Sequence, residues 1–282
     1  MNASRNTPSF IELGGRERAQ VVLDPGSQRE LLGPFERLMS PWLARQGIVP
    51  QSDDGVIIVK GALDGHPAVV LAIESGFQGG SIGEVSGAKI AGTLELALRD
   101  CEAGRPVWPI LLLETGGVRL QEANLGLAAI AEIQSAIVAL RRHVPVVGVV
   151  AGLVGCFGGM SLVAALCSRL VLTRQARLGM NGPEVIEQEA GLEELDAHDR
   201  RLIWSLIGGE QRCATGLADR LVDDDAAQVR SAVRQACTES RPGPARSESV
   251  AAYQRRIERA APLEHLDGPG LRVLWNPEVQ EP

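Results

Sequence analysis

Three glycine pairs in this sequence stand where chemistry can use them: Gly79-Gly80, Gly116-Gly117 and Gly158-Gly159. Each follows a short apolar run that reads as a strand, and the first and third directly precede helical sequence. A helix start presents backbone N–H groups that have no partner inside the helix. A residue without Cβ lets a substrate oxygen approach them. Two such donors aimed at one point form an oxyanion hole, in which each donor stabilises a developing negative charge by about 3–4 kcal/mol. The competing reading is that glycines merely end strands and turn the chain. One pair alone would favour that reading; three pairs in register with consecutive strands set the oxyanion hole on equal terms with it.

Side-chain chemistry is less well represented. Ser161 lies in GGMSLV, which lacks the second glycine of a nucleophile elbow. His66, His143, His198 and His265 are far apart and in no metal-ligand spacing, so they read as structural residues and no metal is expected. Cys156 neighbours the third glycine pair but reads as a small buried residue rather than a thiolate. Dinucleotide and phosphate-loop glycine patterns are absent. Glu114, Arg119, Gln121 and Glu122 crowd the second glycine pair. They can orient a substrate carboxylate, which makes Arg119 and Gln121 candidate binding residues, or hold the loop by salt bridges. The loop-holding role is favoured.

The elements that must position these residues follow from the apolar pattern. Runs at 56–59, 68–73, 110–113, 146–150 and 170–172 are too short for ordinary helices and read as buried strands. The first two flank Asp64-Gly65 and form a hairpin. Helices are expected over 82–101, 123–142 and 158–167, then over 184–206, 225–237 and 250–260. Strand–helix alternation is the grammar of a layered α/β domain. From Ser240 the composition shifts to SRPGPARSES, a flexible break. Residues 1–240 are therefore read as one domain, and 241–282 as an extension that packs on it or on a partner subunit.

Of the 282 residues, 45% are hydrophobic and 22% charged, enough to bury a core and to exclude global disorder. A net charge of −7 argues against nucleic acid or anionic lipid as a partner. The five cysteines form no C-x-x-C pair, and a reducing cytoplasm is the expected location. There is no signal-peptide pattern at the N-terminus and no apolar run of membrane-spanning length, so no membrane association is expected.

GRERAQVVLDPGSQREL (15–31), DDGVIIVKGALDGHPAVVLAIE (53–74), FQGGSIGEVSGAKIAGTLELAL (77–98), ETGGVRLQEAN (114–124) and GCFGGMSLVAAL (155–166) resemble, in that order, the amino-terminal domain of the acyl-CoA carboxyltransferases. LGMNGPEVIEQEAG (178–191) continues the pattern, and the resemblance covers about residues 15–225. Within that family, the length and the TGGVRLQEAN form look most like the beta subunits of biotin-independent malonate decarboxylases. The resemblance implies a crotonase-like fold of β-β-α units stacked in a spiral. It implies that Gly158 and Gly159 form an oxyanion hole for an acyl thioester and that Gly116 and Gly117 line the same cleft. Gly79 and Gly80 would match a further donor. It also implies a gamma subunit of similar fold that completes the active site, an acyl carrier subunit and an acyl-carrier transferase subunit. Malonyl carried on a phosphopantetheine-type arm of the carrier would give acetyl-thioester and CO2, with no cofactor on this chain itself. Acetyl-CoA carboxyltransferase beta subunits carry a four-cysteine zinc ribbon that this sequence lacks, and fused carboxyltransferases carry a second copy of the fold that it also lacks. Carboxyl transfer to a biotinyl carrier and a non-catalytic scaffold role are the rival readings.

Overall fold

Seven strands form one sheet in the order in which the chain makes them. A computed structural model of the chain describes residues 8–49, 55–239, 244–260 and 267–275. It begins with α1 (Gly15–Val22), β1 (Arg29–Leu32), β2 (Val56–Leu63) and β3 (His66–Ile73). Next come α2 (Glu84–Glu102), β4 (Trp108–Leu112), α3 (Asn124–Leu140), β5 (Val147–Val150), α4 (Gly159–Leu166) and β6 (Arg169–Thr173). They are followed by α5 (Pro183–Ala190), α6 (Arg200–Ile207), α7 (Gly209–Ala214), β7 (Arg220–Val222), α8 (Ala226–Thr238), α9 (Val250–Ala260) and α10 (Gly268–Trp275).

β2 and β3 form the expected antiparallel hairpin, with Leu63 opposite His66. Asp64 and Gly65 turn it at φ values of 49° and 79°, the doubly positive pattern that matches strand twist. The Asp24 carboxylate accepts both turn N–H groups, at 3.0 and 2.8 Å. From β3 to β7 every pairing is parallel. Parallel strands need crossovers, and the helices that supply them cover the sheet. α2, α3 and α4 bury Leu94, Ile133, Ile137 and Met160 on one face. On the other face, α1 and α8 bury Ala19, Val22, Val229 and Val233 against Val70, Ile110 and Val149.

Beyond the sheet, a second tier is built from single bridges: Ile82 with Val118, Thr115 with Cys156, Cys156 with Leu178, and Arg177 with Gly208. Each joins one crossover to the next, so successive units stack as turns of a spiral. This is the α/β crotonase-like arrangement.

The helical stretch expected over 184–206 is two helices. Gly191 leaves α5 at φ 96°, a conformation that no helix continues, and Asp199 restarts the chain by accepting the Leu202 N–H. In the C-terminal extension, Arg246 reaches the carbonyls of Ala165 and Cys167 and pairs with Asp219 at 2.6 Å. α10 packs on α6, α7 and α9. Among the described residues, no helix is long and apolar enough to cross a membrane.

Candidate active site

The three glycine turns leave β3, β4 and β5, which are parallel neighbours, so all three emerge at the same edge of the sheet. There they bond to one another. The Gly116 N–H donates to the Gly79 carbonyl at 2.9 Å, and the Ile82 N–H donates to that of Gly117 at 2.8 Å. The Phe157 N–H donates to the Thr115 carbonyl at 3.0 Å. The second and third turns pass so closely that a Cβ on Gly158 would lie 3.2 Å from the Gly117 Cα. On Gly80, a Cβ would run into the Glu114 carbonyl. Gly79 and Gly116 are exposed, Gly158 and Gly159 partly so, while Gly80 and Gly117 are buried. The result is an open rim of main chain free of side chains, at the start of α4.

The N–H groups divide in a way that the sequence does not reveal. Gly80 donates to Phe77, Gly116 to Gly79, Gly117 to the Thr115 hydroxyl at 3.0 Å, and Gly158 to the Met180 carbonyl at 2.7 Å. Among the described residues, the N–H groups of Gly79 and Gly159 meet no acceptor. The pair Gly158-Gly159 thus presents one donor, on Gly159. Gly158 shapes the turn instead: its φ of 58° and ψ of −144° favour a residue without Cβ, and its carbonyl accepts from the N–H and the hydroxyl of Ser161 at 3.0 and 2.7 Å.

The charged residues beside the second pair hold the loop. Arg119 is 1% exposed and pairs with Glu122 at 2.8 Å. It also donates to the Ser81 carbonyl at 3.0 Å and lies over the Phe77 ring. Glu122 in turn accepts the Glu84 N–H at 2.7 Å, placing negative charge at the first turn of α2. Burial and these partners commit Arg119 to holding the loop. Gln121 is exposed, and its amide donates to Gln78 at 3.1 Å across the lip of the cleft. Glu114 is 1% exposed and accepts the N–H groups of Ala151, Gly152 and Val154 at 2.9, 2.6 and 3.0 Å. It fixes the loop that runs from β5 to Gly158.

Cys156 is fully buried, and desolvation, followed by the nearby Glu114 charge, pushes its thiol well above the usual range. The Ser161 hydroxyl is occupied by the Gly158 carbonyl. Glu187, Asp196 and His198 bring ligand-type atoms within 4.8 Å of one another, a cluster that spacing in sequence did not disclose. It sits at the surface, with Glu187 already accepting the Ala197 N–H at 2.7 Å. The segment 178–180 is a functional element that sequence reasoning left without a role. Its Met180 carbonyl anchors Gly158, and its Leu178 carbonyl accepts from Arg212 at 2.7 Å.

Comparison with known proteins gives the family of the chain. The carboxyl transferase domain pattern matches residues 12–261. A chain of a Pseudomonas malonate decarboxylase hetero-tetramer, solved in complex with malonate, is 60% identical, with a TM-score of 0.89 over 96% of this chain and 98% of that one. A chain of the Pseudomonas malonate decarboxylase MdcD–MdcE hetero-dimer is 54% identical, with a TM-score of 0.75 over 89% and 96%. The malonyl-S-ACP:biotin-protein carboxyltransferase of Malonomonas rubra is 40% identical over 79% of this chain and 73% of its own. On the extent of the domain match and of these likenesses, this chain belongs to the carboxyl transferase domain family.

Proposed function

We propose that this chain is the beta-type subunit of a malonate decarboxylase, and that it releases CO2 from a malonyl thioester by holding the enolate that results. The observation that carries the reading is the meeting of three glycine turns around an open rim where the Gly159 N–H has no acceptor among the described residues. The 60% identity to a chain of a malonate decarboxylase supports the choice of substrate.

Decarboxylation leaves an electron pair on the α-carbon, which delocalises onto the thioester oxygen. That step needs a place for negative charge more than it needs a base. The Gly159 N–H, at the first turn of α4 and next to the positive end of the helix dipole, supplies one donor. A rim without Cβ atoms admits the thioester of a phosphopantetheine-type arm, carried by an acyl carrier subunit that an acyl-carrier transferase subunit loads. The Gly79 N–H, also without an acceptor among the described residues, is the candidate second donor, and because the rim is open on one side the exclusion of water comes from a facing gamma-type subunit of similar fold. Exclusion of water strengthens the donor's hold on the charge. The hold must be stronger on the enolate than on the neutral thioester, since equal binding of both gives no acceleration. The α-carbon then takes a proton from bound water or from the facing subunit.

The Malonomonas relative favours a second reading, in which the same cleft passes the carboxyl group to a biotinyl carrier. The test is CO2 release from malonyl-S-carrier by the complex co-purified with this chain, with and without avidin. Release unaffected by avidin is expected. Inhibition by avidin moves the assignment to carboxyl transfer. Glycine variants that alter assembly and leave chemistry intact would point to a scaffold subunit.

A further inference from the structure

One feature without an assigned role lies beside segment 178–180. A cavity of about 550 Å³ opens between α4, this segment, α7 and the first described stretch of the C-terminal extension. Its volume is in the range of small-molecule sites. Leu162, Leu166, Leu170, Leu178 and Leu217 give it an apolar wall, and Arg212 of α7 lines it too.

Arg212 is unusual in its surroundings. Its Nε donates to the Leu178 carbonyl at 2.7 Å, but among the described residues it forms no ion pair. Burial alone lowers its pKa to about 10, with no opposing carboxylate to raise it. A second cation on the wall, Arg246, is already neutralised by Asp219 at 2.6 Å. The cavity therefore has greasy walls and a single guanidinium charge left without a counter-charge among the described residues. Such an arrangement is unfavourable until an anion enters.

We infer that this cavity binds an organic monocarboxylate, with its charged end on the Arg212 guanidinium and its apolar body against Leu166, Leu170, Leu178 and Leu217. One carboxylate cancels one guanidinium and matches its planar fork. A phosphate monoester carries nearly two charges at neutral pH and would leave the excess uncompensated among leucines. A simple inorganic anion would leave those walls unfilled. The site adjoins the glycine rim, since Ser161 and Met180, which hold the Gly158 turn, also line it, but it does not depend on the function proposed above. It shares one wall with that rim, because the segment braced by Arg212 at Leu178 is the one that holds the Gly158 N–H at Met180. A ligand there is thus placed to influence the turn that carries the Gly159 donor.

Calorimetric titration of the full chain, in its co-purified assembly, with octanoate, octanol and octyl phosphate tests this. Octanoate is expected to bind at least about tenfold more tightly than either of the others, and Arg212→Gln to weaken it at least about tenfold. Because Arg212 also braces Leu178, Leu217→Phe serves as an independent variant that fills the cavity and leaves the guanidinium in place; it too should abolish binding. No octanoate binding, equal binding of octanol, tighter binding of octyl phosphate, or undiminished binding in a folded Arg212→Gln or Leu217→Phe protein would overturn the inference.

Discussion

Replacing Gly158 by alanine separates its conformational role from any direct contact with substrate. At φ 58° and ψ −144° an L-residue is strained by about 1–3 kcal/mol, and the new Cβ would lie 3.2 Å from the Gly117 Cα. The amide nitrogen of Gly158 is tied to Met180 at 2.7 Å, so relief must come mainly by turning the peptide plane between Gly158 and Gly159. That plane carries the Gly159 N–H. Turning it also breaks the two bonds from Ser161 to the Gly158 carbonyl. Two effects are expected. The first is a melting temperature lower by about 2–10 °C, from 1–3 kcal/mol in a chain of this size. The second is a loss of about 10²–10³-fold in turnover, the usual cost of one misdirected oxyanion donor. The assay is CO2 release from malonyl-S-carrier by complex that has been shown to assemble. An assembled Gly158→Ala complex that turns over within about threefold of the parent would refute the reasoning.

Gly159→Ala should be far milder. Its Cβ would meet the Ile130 Cγ2 at 3.0 Å, a contact that a shift of a few tenths of an ångström relieves, and the amide is retained, so turnover within about tenfold is expected and a collapse of activity would contradict this. Arg119→Met leaves Glu122 buried without its partner and should cost about 3–5 kcal/mol in urea unfolding; an unchanged midpoint would show that the pair holds nothing. Glu114→Gln replaces an anion that accepts three N–H groups with an amide that cannot accept all of them; a loss of about 3 kcal/mol or more is expected, read from thermal melts. Cys167, Cys213 and Cys237 are each pushed up to about 12 by burial. Raised folded pKa values give stability that is complete below the unfolded thiol value, near pH 8.5, and lost as pH climbs toward 12. Each thiol should contribute a fall of up to about 1.4 kcal/mol per pH unit above pH 9, so urea midpoints that stay flat from pH 8 to 10.5 would contradict their burial.

Much of the frame was readable from the chain because burial leaves a simple mark. β2 and β3, covered on both faces, are nearly unbroken apolar runs, and Asp64-Gly65 announces the turn between them. α2, α3 and α4 begin within two residues of where spacing and glycines place them. The elements that went unread are those whose stability comes from distant partners. α1 is short and polar, and it is fixed where the buried Arg18 donates to the Phe10 and Ile11 carbonyls. β1 and β7 are edge strands with little burial, and so they show no apolar run. At the site, the glycine pairs themselves were visible. Which amides remain available was not, since that depends on the Met180 carbonyl and the Thr115 hydroxyl reaching them in three dimensions.

The glycine turns are knit to one another through main-chain atoms, and this frees the surrounding side chains from structural duty at the rim. Exposed residues such as Leu120 and Leu162 can change identity without loosening the scaffold beneath them, because the rim's N–H···O bonds do not involve their side chains. A rim made this way behaves like a fixed frame with interchangeable lining: under the proposed function, preference for one acyl group over another can drift with the lining and with the facing subunit, while the Gly159 N–H stays where it is.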